Sequence, residues 1–273
     1  ELGIDVIFTA PEKEDAARQL DVFNDQVNKG VDAIIMAAVD SDTMRKPISD
    51  TIDQGIPVFG FDVGAPGTDT LWLSSVWEPT ASGVNIGEGI AEEIGGSGKV
   101  ACLTGGLGSP YLAQRQDAIE AVLDEYPDIE IVGLYANDND YEKALSQCES
   151  ILQAHPDLAG FTSTVTTGVP AAGQAIANAG MGGEVAVWGV ALPKQNAEYI
   201  KKGWINGAVG ADPGKMTYLA VRIAYDYLTK DGKLPEPGDE YGWAGDVTTV
   251  PEEKASYAED VLLTSDNVDD FGF

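Results

Sequence analysis

Positive charge is scarce in this sequence: 16 Lys and Arg stand against 45 Asp and Glu, a formal net charge of −29. A surface of that sign repels polyphosphates and anionic lipid, which argues against nucleic acid or a membrane surface as partner. Charged residues make up only 22% of the chain, so the imbalance reflects missing lysine and arginine as much as surplus carboxylate. It reads as a device for solubility or for life in salt. Histidine occurs once, at His155 before Pro156, which leaves a catalytic triad or a histidine-based metal site nothing to build on. Cys102 and Cys148 are the two cysteines and show neither CxxC nor zinc spacing. They read as two buried thiols, or as one disulfide in an oxidising compartment. No apolar run approaches the roughly 20 residues of a membrane span. The opening residues, ELGIDVIFTAP, lack the basic and apolar regions and the cleavage site of a secretory signal, so if the protein is exported its signal has been removed or omitted. There is no GxxxxGK[ST] phosphate loop and no GxSxG elbow, and the GGLGSP run at 105–110 lacks GxGxxG spacing. Accordingly no catalytic residue, cofactor or metal is expected.

What is present is a repeated pattern. Short apolar runs of strand type alternate with longer stretches of 3.6-residue period almost from end to end, the mark of an α/β fold with parallel sheets. The periodicity predicts a strand over 5–9, then a helix over 15–29 with Leu20, Phe23 and Val27 on one face and Gly30 as its stop. A strand over 33–37 precedes a helix running to Gln54, with Asp42 as its expected cap. Strands over 57–61 and 71–73 lead to a helix capped by Thr80. A second series starts at Lys99 and repeats the unit through strands near 130–135, 160–162, 184–188 and 205–210, with helices between them. A helix over 215–230, a strand at 247–250 and a tail holding Val261 to Leu263 complete the chain. The sequence also begins as though a first βα unit were missing.

Ligands of open parallel sheets bind outside the carboxyl ends of the strands, so polar and aromatic residues at those ends are the candidates. Asp62 ends the 57–61 strand abruptly and reads either as an acceptor for ligand hydroxyls or as a loop cap beside Gly64 and Gly67. Further along come Tyr111, Gln114 and Arg115, then Asn137 and Asp138, then the stretch holding Thr166, then Asp212, each after a different strand. Arg115 is a ligand donor or a surface salt bridge with Asp117; Asn137 and Asp138 are ligand groups or caps of the following helix; Trp77 stacks on a sugar face or packs in a core.

With these residues in place, the chain resembles the type I periplasmic solute-binding proteins of the ribose-binding kind, the receptors of sugar ABC transporters. GVDAIIMAAVDSD at 30–42, GIPVFGFD at 55–62, the SGKV start at 97–100 and HPDLAGFTS at 155–163 carry the resemblance. VPAAGQAIANAG at 169–180 and the ending VLLTSDNVDDFGF are similar to the subgroup holding autoinducer-2-binding and rhamnose-binding proteins. The resemblance implies two Rossmann-like lobes joined by a three-crossover hinge near Val76, Asp212 and Val250. The lobes are then 1–76 with 213–249, lacking its first βα unit, and 77–212 with 250–273. It implies that Asp62 is the ligand carboxylate, that Pro170 and Ala172 contact ligand through the backbone, and that Asp212 is a polar group on the hinge side. SPYLAQR at 109–115, with Tyr111 and Leu112, departs from the Asp-Gln pair of autoinducer-2 receptors, which argues against autoinducer-2, and Val165 and Thr166 replace the Asn-Asp of ribose-type proteins, which argues against a simple pentopyranose. The expected protein is a monomeric receptor in the periplasm or otherwise outside the cytoplasm, lipid-anchored in some settings, that hands a monosaccharide, deoxysugar or polyol to a membrane permease. The effector domain of a LacI-type repressor and a sugar-modifying α/β enzyme are the rival readings.

Overall fold

The computed structural model describes residues 2–11, 15–76 and 78–272. In chain order the elements are α1 (Ala16–Lys29), β1 (Ile34–Met36), α2 (Ser41–Asp53), β2 (Val58–Phe61), β3 (Leu73–Ser75), α3 (Pro79–Glu93), β4 (Ser97–Thr104), α4 (Pro110–Leu123) and β5 (Asp128–Ala136). They continue with α5 (Tyr141–Ala154), β6 (Leu158–Ser163), α6 (Gly168–Ala179), β7 (Ala186–Val190), α7 (Pro193–Lys201), β8 (Gly207–Ala211), α8 (Pro213–Thr229), β9 (Val247–Val250), β10 (Ala255–Ala258) and β11 (Asp260–Leu263). The chain forms two compact units, residues 1–76 with 214–259 and residues 77–213 with 260–273.

The first unit is built on a five-stranded sheet of order β1-β2-β3-β10-β9, in which only β9 runs antiparallel to its neighbour. Its apolar cluster joins Phe23 of α1 and Met44 and Ile48 of α2 to Ile34, Met36 and Val58 of the strands. α1 begins where the Asp15 carboxylate accepts from Arg18 N, and it ends at Gly30, whose φ of 70° suits a residue without Cβ.

Several expectations shift here. The cap of α2 is Asp40, which accepts from Thr43 N at 2.7 Å and whose carboxyl these Thr43 hydrogen bonds hold below its ordinary pKa. Asp42 falls in the first turn, still well placed beside the positive end of the helix. α3 is capped by the Glu78 carboxylate, which accepts from the amides of Thr80 and Ala81, so Thr80 lies inside the helix. Residues 5–9 form no strand, because no neighbouring strand supplies a ladder; Val6, Ile7 and Phe8 are 66%, 59% and 92% exposed. The return crossing expected at Val250 follows Glu259 instead. β10, which the periodicity did not suggest, pairs parallel with β3 and antiparallel with β9 and holds this stretch in the first unit.

The second unit carries a six-stranded sheet of order β11-β8-β7-β6-β4-β5, parallel except for β11 against β8. Side chains alternate along β4: Val100 and Cys102 join Ile86 and Ile90 of α3 and Ile119 of α4, while Ala101 and Leu103 join the cluster of α5 and α6. Cys148 of α5 belongs to that second cluster, so the sheet separates the two thiols and both are free. Burial pushes the Cys148 thiol up to about 12 and raises that of Cys102 as well.

α3 and α4 touch through glycine. A Cβ at Gly83 would stand 2.4 Å from Arg115 O and 2.7 Å from the Ala118 Cβ. Gly83→Ala is therefore expected to force the helices apart and to lower stability by about 2 kcal/mol, the usual cost of overpacking; chemical denaturation measures it. A second expectation concerns charge. With a net charge of −29, self-repulsion loads the folded state. Raising NaCl from about 0.01 M to about 1 M shrinks the Debye length from about 30 Å to about 3 Å. The melting temperature should rise across that range, and a flat or falling trend in calorimetry would count against repulsion as a significant load.

Candidate functional site

In the second unit the strand order reverses at β4. The chain leaves β4 for β5 on one side and for β6, β7 and β8 on the other, so the β4/β6 pair is a topological switch point, where open parallel sheets leave a crevice at their carboxyl ends. Two threonines meet there. Thr164 Oγ1 donates to Thr104 Oγ1 at 2.8 Å, both residues buried. Thr104 ends β4 and Thr164 follows β6 directly; neither was singled out from the sequence, although a hydroxyl one step past an apolar strand was the available signal.

Arg115 lies beneath this edge rather than on the surface, at 2% exposure. Its Nε donates to Ser82 Oγ (2.8 Å), one terminal nitrogen to the Thr164 carbonyl (2.7 Å) and the other to the Tyr111 hydroxyl (3.2 Å), and its guanidinium carbon lies 5.0 Å from the Tyr111 ring centroid. One side chain thus links α3, α4 and the loop before α6. The exposed Gln114 donates to Thr80 Oγ1 on α3 at 2.9 Å.

Past β5, Asn137 is fully buried, and its backbone N–H donates to Thr104 O at 2.8 Å. Its Oδ1 accepts from Asn139 N at 2.9 Å and from Thr167 Oγ1 at 3.4 Å. This closes a turn in which Asp138 and Asn139 both adopt left-handed backbone, at φ 54° and 57°. Neither Asn137 nor Asp138 caps the next helix. Asp140 does, accepting from Lys143 N, while Asp138 pairs with the Lys143 ammonium at 2.6 Å.

Thr166 is half-buried in the loop before α6, Pro170 is half-buried in the first turn of α6, and Ala172 is fully buried in the apolar cluster behind it. Asp212 is half-buried between β8 and α8. Trp77 lies outside the described residues. The second unit thus gathers Tyr111, Arg115 and Asn137 around the switch point, and directs Gln114 and Ala172 toward other packing.

In the first unit Asp62 follows β2 at the apex of a tight turn, with Gly64 N donating to Phe61 O at 2.8 Å. Its φ is 56°, a left-handed conformation that Asp tolerates better than most residues, and its N–H donates to Ser74 O at 3.0 Å. The side chain is half-buried.

Among the described residues no group of three or more His, Cys, Asp or Glu is placed to hold a metal ion, and no helix is long and apolar enough to cross a membrane. Apart from the buried Arg115 guanidinium, the strand-end groups are hydroxyls, amides and carboxylates, suited to hydrogen bonding with an uncharged polyhydroxy ligand.

A family model described as a periplasmic binding protein domain matches residues 1–233. The chain is 23% identical over 239 residues to a xylose/arabinose-binding protein of Sulfolobus acidocaldarius, a match that takes in 82% of this chain and 58% of that protein. It is 24% identical over 241 residues to the D-allose-binding periplasmic protein of Escherichia coli, with 85% and 77% covered. Among solved structures, an ABC transporter solute-binding protein of Burkholderia graminis in complex with D-arabinose superposes with a TM-score of 0.82 at 23% identity, covering 95% of this chain and 84% of that one.

Proposed function

Because the chain belongs to the periplasmic binding protein family, we propose that it is the solute-binding receptor of an ABC importer and that its ligand is a monosaccharide, deoxysugar or polyol. The match over residues 1–233 carries this reading. The strand-end chemistry of each unit taken by itself supports it: the first offers the Asp62 carboxylate as an acceptor for hydroxyls, and the second offers neutral donors and acceptors around Thr104, Asn137 and Thr164–Thr167. A sugar fits the electrostatics, since a chain of net charge −29 disfavours an anionic ligand. In this reading the protein works outside the cytoplasm as a monomer, releases its ligand unchanged, and presents the loaded form to a membrane permease.

A thermal-shift screen tests it with D-xylose, D-arabinose, D-ribose, D-allose, L-rhamnose and xylitol. Ligand at about 100 times its Kd adds about 2.7 kcal/mol to a protein that binds it only when folded. At least one compound should therefore raise the melting temperature by several degrees, and mass spectrometry should recover it unaltered. No shift with any of the panel, or turnover of the bound sugar, would overturn the reading.

A further inference from the structure

Buried polar atoms are nearly always hydrogen-bonded, and one left alone at a strand end calls for a reason. Asn137 Nδ2 is such an atom: the residue is 0% exposed, its Oδ1 is engaged by Asn139 and Thr167, and Nδ2 has no partner among the described residues. Among the described residues the other side-chain atoms in the same condition lie within elements: Thr162 Oγ1 and Trp188 Nε1 in strands, and the amide oxygens of Gln26, Gln116, Gln147 and Asn196 in helices. Asn137 instead follows β5 and is bonded through its backbone to Thr104 at the switch point. The Thr104 hydroxyl accepts from Thr164, which leaves its own hydrogen to donate elsewhere.

We propose that Asn137 Nδ2 is a specificity-determining donor that reads one acceptor oxygen of the ligand, a hydroxyl or ring oxygen; this rests on the sugar-binding reading above. A neutral amide donor satisfies an uncharged ligand oxygen without burying a charge. Gly105 borders the Asn137 turn, its carbonyl accepting from Asp138 N at 3.4 Å. A Cβ there would meet Asn139 Oδ1 at 2.9 Å, Leu112 Cδ1 at 3.0 Å and Val165 Cγ1 at 3.2 Å, so these side chains close over the glycine. Asn139 is solvent-exposed, and exposed side chains change rotamer readily without rebuilding the backbone. An analogue lacking the matching oxygen leaves the amide buried and unpaired, which is how a single polar contact discriminates strongly between sugars.

Titration calorimetry first identifies the tightest-binding sugar of the panel for the wild-type protein. Asn137→Asp keeps the Oδ1 acceptor and replaces the donor by a second acceptor, so affinity for that sugar should fall about 10- to 100-fold. Unchanged affinity overturns the proposal. Should that variant fail to fold, the wild type decides: with uniform 15N labelling, the Asn137 side-chain amide protons should shift and gain protection from exchange when the sugar is added, and an unaltered signal overturns the proposal. Failure of the wild type to bind any of the panel removes the sugar reading and this inference together. Binding that is indifferent to Asn137 removes the inference alone.

Discussion

Asp62→Asn is expected to weaken sugar binding by about 100-fold or more while leaving the melting temperature of the ligand-free protein within a few degrees of wild type. A carboxylate accepting from ligand hydroxyls contributes about 1.5–3 kcal/mol per bond, and two such bonds account for that loss. The amide keeps the shape but donates where the carboxylate accepts. The backbone refines the expectation, because Asp62 sits at φ 56°. Asn and Gly tolerate this region, whereas Ala there costs about 1–2 kcal/mol. Asp62→Ala should therefore lose affinity and stability together, Asp62→Gly affinity with little stability, and Asp62→Asn affinity almost alone. Calorimetric titration beside thermal melts separates the three, and an Asp62→Asn protein that binds as wild type does removes Asp62 from the site.

The second large effect is expected at Arg115. Arg115→Ala strips hydrogen bonds from Ser82 Oγ, Thr164 O and the Tyr111 hydroxyl in one step and leaves a void where a fully buried side chain stood. Each buried acceptor left unpaired costs about 1–3 kcal/mol, so a loss of about 4 kcal/mol is expected, a large part of the 5–15 kcal/mol that holds a typical domain together. Arg115→Lys should recover only part of it, since an ammonium lacks the planar fork that serves three partners lying in different directions. Urea unfolding followed by near-ultraviolet circular dichroism measures both. Because the Thr164 carbonyl is among its acceptors, affinity should fall along with stability. A variant that loses affinity at wild-type stability would instead make Arg115 a direct ligand contact.

The alternation of strand and helix was legible because each helix carries its own stripe and most carry their own stops, as Gly30 and Gly180 do at the ends of α1 and α6. What escaped was decided by distant partners. Residues 5–9 have the apolar composition of a strand, but composition does not supply a neighbour, and the stretch lies exposed. ASYA at 255–258 has almost no strand signature, yet it becomes β10 because β3 and β9 lie on either side of it. Caps slipped by two residues at Asp40 and Glu78, where acidic or hydroxyl groups crowd the helix start and only geometry selects among them. At the candidate site, strand-end position drew attention to Asn137 and Arg115, but position is blind to burial. It could not separate an arginine on the surface from one enclosed by Ser82, Tyr111 and Thr164, and it passed over Thr104 and Thr164 because a lone threonine is unremarked until two of them meet.

The pairing of β3 with β10 bears on the order of assembly during synthesis. Leu73 N donates to Lys254 O, and the Trp72 indole N–H to Ser256 Oγ across 184 residues of sequence. β11, the edge strand of the other sheet, likewise comes from residues 260–263. Neither sheet can therefore be completed until residues 255–263 have left the ribosome, so both units wait on the same short stretch. Contacts of such long sequence separation slow folding by their loop-closure entropy. The nascent chain should stay open and sensitive to protease until residue 263 has emerged, and a stop codon near position 250 should unseat a strand from each sheet at once.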